Sequence, residues 1–134
     1  VEDDQANLHV KASAPTTGWV AVGFDPSVMM EDANLLIGYV ADGAGFIRDD
    51  FGTEPTSHRA DTLLGGSSNV VLLGSAESGG TTSLEFTIPM NSQDGYDSVL
   101  HQGETHTVLL AFGPDGSDDF DSPHQFVLAV ELQI

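Results

Sequence analysis

The sequence predicts an all-β domain, an antiparallel sandwich or barrel. Three observations carry that expectation. Apolar and polar residues alternate with period two in several short runs. Turn signals separate those runs, among them 15 glycines and 6 prolines. No segment of helical length shows an apolar period of 3.6. The 134 residues suggest one domain, long enough to bury a core without covalent staples.

Taken in order, residues 5–14 alternate Leu8, Val10 and Ala12 with His9, Lys11 and Ser13, a half-exposed strand closed by Pro15-Thr16. From Thr17 to Val40 the chain reads as strand, loop, strand. Trp19, Ala21 and Gly23 alternate with Val20, Val22 and Phe24, Asp25-Pro26-Ser27 breaks the run, and a second strand follows at about Leu35–Val40. Asp42–Gly45 is a tight hairpin turn into a short strand, Phe46–Phe51. Residues 52–69 form a long polar connection, of a length that in compact domains is commonly functional or mobile. Val70–Leu73 is a short apolar strand, Ser75–Gly80 a hairpin turn region, and Thr81–Ile88 a strand with one wet face. A second long loop runs from Asn91 to Gly103. Thr105–Phe112 is nearly continuous in its apolar second half, as expected of a central strand buried on both faces. The acidic loop Gly113–Pro123 leads to a closing strand, Gln125–Ile134. That makes about eight strands, with neither a repeat nor a domain boundary.

The charge is the outlier. Lys11, Arg48 and Arg59 face 21 acidic residues, a formal net charge of -18. Such a surface repels nucleic acid and anionic lipid and suits a basic protein partner, a cation or high salt. With no cysteine, disulfides, thiolate zinc sites, thioether-attached haem and cysteine catalysis are excluded. No apolar run approaches the twenty residues of a membrane span. The opening Val1-Glu2-Asp3-Asp4 reads as a fragment edge within a longer chain.

For chemistry, there is no G-x-S-x-G elbow and no phosphate loop ahead of a helix. Asp115, Asp118, Asp119 and Asp121 place hard oxygens in one loop, a calcium candidate without EF-hand spacing. His9 and His106 fall on the polar side of strand patterns, and His101 lies in a loop. His58 and His124 sit in loops expected to gather at one end of the sandwich. Met29 and Met30 follow an early strand. A loop histidine is more often structural than a ligand, and methionine is normally core filler. One thioether with one imidazole and no cysteine is nevertheless the axial set of a low-spin haem, and is less natural for zinc or magnesium.

GWVAVGF, a methionine loop, then DANLLIGYV resembles the DOMON domain. DDFGTEPTSHRADTLLGG, TTSLEFTIPM and ETHTVLLAFGP extend the resemblance in the same order, although Thr87-Ile88-Pro89-Met90 lacks the arginine usual in that strand. The similarity is to the haem-binding branch, represented by the cytochrome domain of cellobiose dehydrogenase and by bacterial DOMON proteins. It implies an all-β, antiparallel immunoglobulin-like β-sandwich spanning 1–134. It also implies a non-covalent haem b held by Met30 and His124, with Met29 as the alternative ligand. Trp19, Phe24, Val28, Leu36, Phe112 and Phe126 are the candidate walls, and His58 and Arg59 the candidate propionate partners. A domain of this kind relays single electrons to a redox partner or to a fused redox or membrane domain, is not itself an enzyme, and works outside the cytoplasm. The alternative within the family is a haem-free carbohydrate-binding module.

Overall fold

The computed structural model describes residues 2–3, 7–91, 95 and 99–134. Its strands are β1 (Glu2–Asp3), β2 (Asn7–Ala14), β3 (Val20–Phe24), β4 (Asn34–Ala41), β5 (Ala44–Glu54), β6 (Ser57–Ala60), β7 (Val71–Ser78), β8 (Thr81–Pro89), β9 (Thr105–Phe112) and β10 (Phe126–Gln133). A 3-10 turn, Asp61–Leu63, follows β6. All pairings are antiparallel. One sheet runs β1-β2-β8-β7 and the other β10-β9-β3-β4-β5-β6. The fold is therefore an antiparallel β-sandwich of immunoglobulin-like architecture.

Period-two patterning decides which face each side chain takes. Leu8 and Val10 on β2 and Leu84, Phe86 and Ile88 on β8 meet Val20, Val22, Phe24, Leu36, Val40 and Val108 of the larger sheet in one core. Asp42-Gly43, both at positive φ, closes the β4–β5 hairpin, and Gly79-Gly80 does the same for β7–β8. Both are two-residue loops whose left-handed backbone matches strand twist.

The polar connection after Gly52 departs from the expectation. Residues 57–60 pair with β5 as an edge strand, Gly52 opposite His58 and Asp50 opposite Ala60. The short run SHRA carries no apolar alternation, so its pairing comes from the β5 template and not from its own pattern. β7 extends to Ser78, beyond the expected Leu73. β9 is interior to its sheet but not buried on both faces: Leu110 is 38% exposed. His106 is the reverse case. It is buried, with Nδ1 2.9 Å from an Asp25 oxygen, instead of lying on the wet face. Part of the Asn91–Gly103 loop lies outside the described residues.

Candidate functional site

A pocket of about 460 Å³ opens on the outer face of the larger sheet. Ala21 and Gly23 of β3, Leu35 and Ile37 of β4, and Leu109 and Ala111 of β9 form its floor. These are the residues that alternate with the core positions. Small side chains at 21, 23 and 111 keep that floor low.

Two loops from opposite ends of β3 supply the walls. β3 is five residues long, about 14 Å of strand. Past its end, Met29 and Met30 form the two-residue loop of a tight turn. Val28 bridges Glu31, and Glu31 N–H donates to the Val28 carbonyl at 2.9 Å. Met29 takes φ +55°, a position that normally selects glycine and costs a side-chain residue about 1 kcal/mol. The turn sits on the β5–β6 hairpin: Met30 N–H donates to the Pro55 carbonyl at 3.2 Å, and Asp32 N–H to that of Gly52 at 2.8 Å. A Cβ at Gly52 would stand 1.7 Å from the Met30 carbonyl oxygen, so glycine is what permits this contact.

Beside the start of β3, the 113–125 loop folds over the outer face. The Trp19 indole N–H donates to the Ser122 carbonyl at 3.1 Å. Asp119 accepts the N–H groups of Asp121 and Ser122 at 2.9 and 2.6 Å and the Ser122 hydroxyl at 2.5 Å. Those bonds, the side-chain bond from Ser122 first, hold its carboxyl below the usual range. Phe120 packs on Tyr39, ring centroids 5.0 Å apart, and under the Arg48 guanidinium, 4.6 Å from its centroid. The loop so pinned brings Asp121, Ser122, Pro123 and His124 to the pocket, with Val127 of β10 beside them.

The third wall is His58, projecting from β6. Its Nδ1 lies 2.5 Å from Asp50 Oδ2. Asp50, fully buried, also accepts two bonds from Arg48, at 2.6 and 2.8 Å. Burial alone pushes the Asp50 carboxyl up, but the bonds and charges of His58 and Arg48 outweigh it, and its pKa is lowered. Arg48 is held up by the same pairing, against its own desolvation.

Of the residues singled out in the sequence, Met29, Met30, Trp19, His58 and His124 share this one pocket. They meet on an outer face, not at a rim between the sheets. Phe24 and Leu36 belong to the inter-sheet core, and Phe112 packs against it, stacked on Phe126 at 5.3 Å. Strand alternation turns all three away from the pocket. Val28 is 55% exposed and does not line it. Arg59, opposite Phe51, is exposed on the other face of β6. The cation on the pocket side is Arg48, which the sequence offered only as one of three basic residues; Asp50 and Phe120 were not singled out, and Asp121, expected as a calcium oxygen, lines the pocket instead. The signal was present: period two places positions 46, 48 and 50 on one face of β5. Three carboxylates of the acidic loop serve turns and pairing: Asp119 as above, Asp115 accepting Thr17 N–H at 2.9 Å and Asp121 3.6 Å from Arg48. Among the described residues no group of three or more His, Asp or Glu is placed to hold a metal ion.

The DOMON domain family model matches residues 1–113. The chain belongs to the DOMON domain family. The match ends ahead of the loop that carries His124. DBH-like monooxygenase protein 2 of Mus musculus is 28% identical over 118 residues, which is 87% of this chain and 18% of that protein. The chain thus spans under a fifth of that relative. Among solved structures, the cytochrome b domain of pyranose dehydrogenase from Coprinopsis cinerea superposes with a TM-score of 0.66 at 15% identity, covering 94% of this chain and 67% of that one. The cytochrome domain of Myriococcum thermophilum cellobiose dehydrogenase gives 0.64 at 13% identity, with 94% and 64% covered. These likenesses establish the shared fold.

Proposed function

We propose that this DOMON domain is a b-type cytochrome module, holding one haem b in the outer-face pocket and passing single electrons to a partner. The observation that carries the reading is that Met30 and His124, rooted at opposite ends of β3, line one largely apolar pocket. Their chemistry suits the group: a soft thioether and an imidazole are a low-spin haem pair, and no covalent attachment is required. The volume falls within the range of cofactor pockets. When bound, the haem supplies one-electron redox chemistry; the protein's part is to bind it, orient it and exclude water.

Each wall has a task under this reading. Trp19 and Asp119 fix the loop before His124, the β5–β6 hairpin supports Met30, and Ala21, Gly23, Leu35, Ile37, Leu109 and Ala111 give a flat apolar bed. With Met30 and His124 both holding the haem iron, no site would be left for a substrate, so the module would relay electrons without bond-making chemistry. Fold neighbours described as cytochrome domains of two dehydrogenases support the assignment. We place the domain outside the cytoplasm, docked or fused to a redox partner. A carbohydrate-binding role is less favoured. Sugar platforms need exposed aromatic faces, whereas Trp19, the indole lining this pocket, is 6% exposed.

Absorption spectroscopy of protein purified or reconstituted with haem tests the proposal. A sharp Soret band is expected, with resolved α and β bands on reduction. Met30→Ala or His124→Ala is expected to remove the thioether-and-imidazole signature. Wild-type protein that takes up no haem would sink the assignment.

A further inference from the structure

The pocket contains a second imidazole that the Met30–His124 pair leaves unused. His58 lines the same cavity, and its surroundings are those of a prepared metal ligand. Asp50, fully buried and held as a carboxylate by Arg48, sits 2.5 Å from His58 Nδ1. An ionised carboxylate only accepts, so Nδ1 carries the proton and the lone pair of a neutral ring is on Nε2. A carboxylate that fixes the tautomer and raises imidazole basicity is the usual outer partner of a metal-bound histidine.

Placement adds a second argument. His58 stands opposite Gly52 in the β5–β6 pairing. Gly52 is the residue against which the Met30 carbonyl packs, and Pro55 of the same hairpin accepts the Met30 N–H. Met30 and His58 therefore rise from one supported unit, on the side of the pocket away from the His124 loop.

We infer that His58 is a reserve axial ligand, which takes the iron position of Met30 when the thioether is removed. This rests on the haem reading above. The exchange oxidises and reduces nothing: one sulfur lone pair leaves and the Nε2 lone pair replaces it. The product is a bis-imidazole site with a lower reduction potential, since the thioether is what favours ferrous iron.

The test uses four haem-reconstituted proteins: wild type, His58→Ala, Met29→Ala/Met30→Ala, and the triple variant that adds His58→Ala. Removing both methionines prevents Met29 from standing in. The readouts are the electronic spectrum, with its thioether-to-iron charge-transfer band, and the reduction potential. The methionine-free protein is expected to lose that band, stay low-spin and shift to a lower potential. The triple variant is expected to turn high-spin. A methionine-free protein that is already high-spin overturns the inference and leaves the haem reading intact. Loss of haem from His58→Ala alone also overturns it, by making His58 structural. Wild type without haem removes both.

Discussion

Asp50 concentrates the electrostatics of the site in one carboxylate. It is fully buried, which for an isolated charge would be prohibitive. Arg48 and His58 offset that cost by filling its acceptor positions, and the net pKa falls below 3.8. Removing the shared carboxylate strips His58 of its partner and leaves Arg48 with Asp121 alone, 3.6 Å away. Asp50→Ala is therefore expected to lower stability by about 1–3 kcal/mol, read as a fall in the urea midpoint. The pH dependence follows from the same shift. The folded carboxyl binds protons more weakly than the unfolded one, so its contribution is complete above about pH 4 and is lost as pH falls through the folded pKa. Urea titrations between pH 5 and pH 2.5 should show this acid limb in wild type and a shallower one in Asp50→Asn. Little of this network was legible in the sequence. Arg48 and Asp50 are two residues apart on a strand, where shared facing is predictable but a bidentate bond is not. His58 was expected in a loop, because SHRA has no strand pattern of its own.

At the scale of elements, the sequence spoke clearly wherever a face is buried. β3, β4, β8 and β9 follow apolar alternation or apolar runs, because the sandwich core demands it, and the Asp42-Gly43 hairpin follows from its turn residues. What alternation could not say is which large residues face the pocket. Phe24, Leu36 and Phe112 attract attention by size, yet size is what the inter-sheet core selects. The pocket floor is marked instead by small residues, Ala21, Gly23 and Ala111. Gly52 illustrates the same point at a junction of elements. A methyl group there would meet the Met30 carbonyl oxygen at 1.7 Å, backbone that cannot rotate away. Gly52→Ala is expected to cost about 1–3 kcal/mol and, under the proposed cytochrome reading, to weaken haem retention by displacing the methionine turn. Gly74→Ala, where a Cβ meets nothing nearer than a Glu85 oxygen at 3.8 Å, should change stability by no more than about 0.5 kcal/mol. Thermal melts of the two variants, with haem titrations, separate a local clash from the general effect of removing a glycine.

For the molecule as a whole, charge and site position act together. The pocket opens on an outer sheet face, and Asp121 at its edge has a side chain 80% exposed. The chain carries -18 overall, and Arg48, on the pocket side, is already engaged by Asp50 and Asp121. An approaching molecule therefore meets a negative field before it meets any contact. Fields of this kind change association rates by about 10- to 1,000-fold, and they act over a Debye length that shrinks from about 10 Å at 0.1 M salt to about 3 Å at 1 M. The proposed cytochrome module should consequently exchange electrons faster with cationic than with anionic small redox reagents at low salt. Raising ionic strength should slow the cationic reaction and speed the anionic one, until the two rates approach each other once driving force is matched. Stopped-flow measurement of haem reduction across that salt range checks this. Equal, salt-independent rates for both reagents would mean that the acidic surface serves solubility alone and does not select the partner.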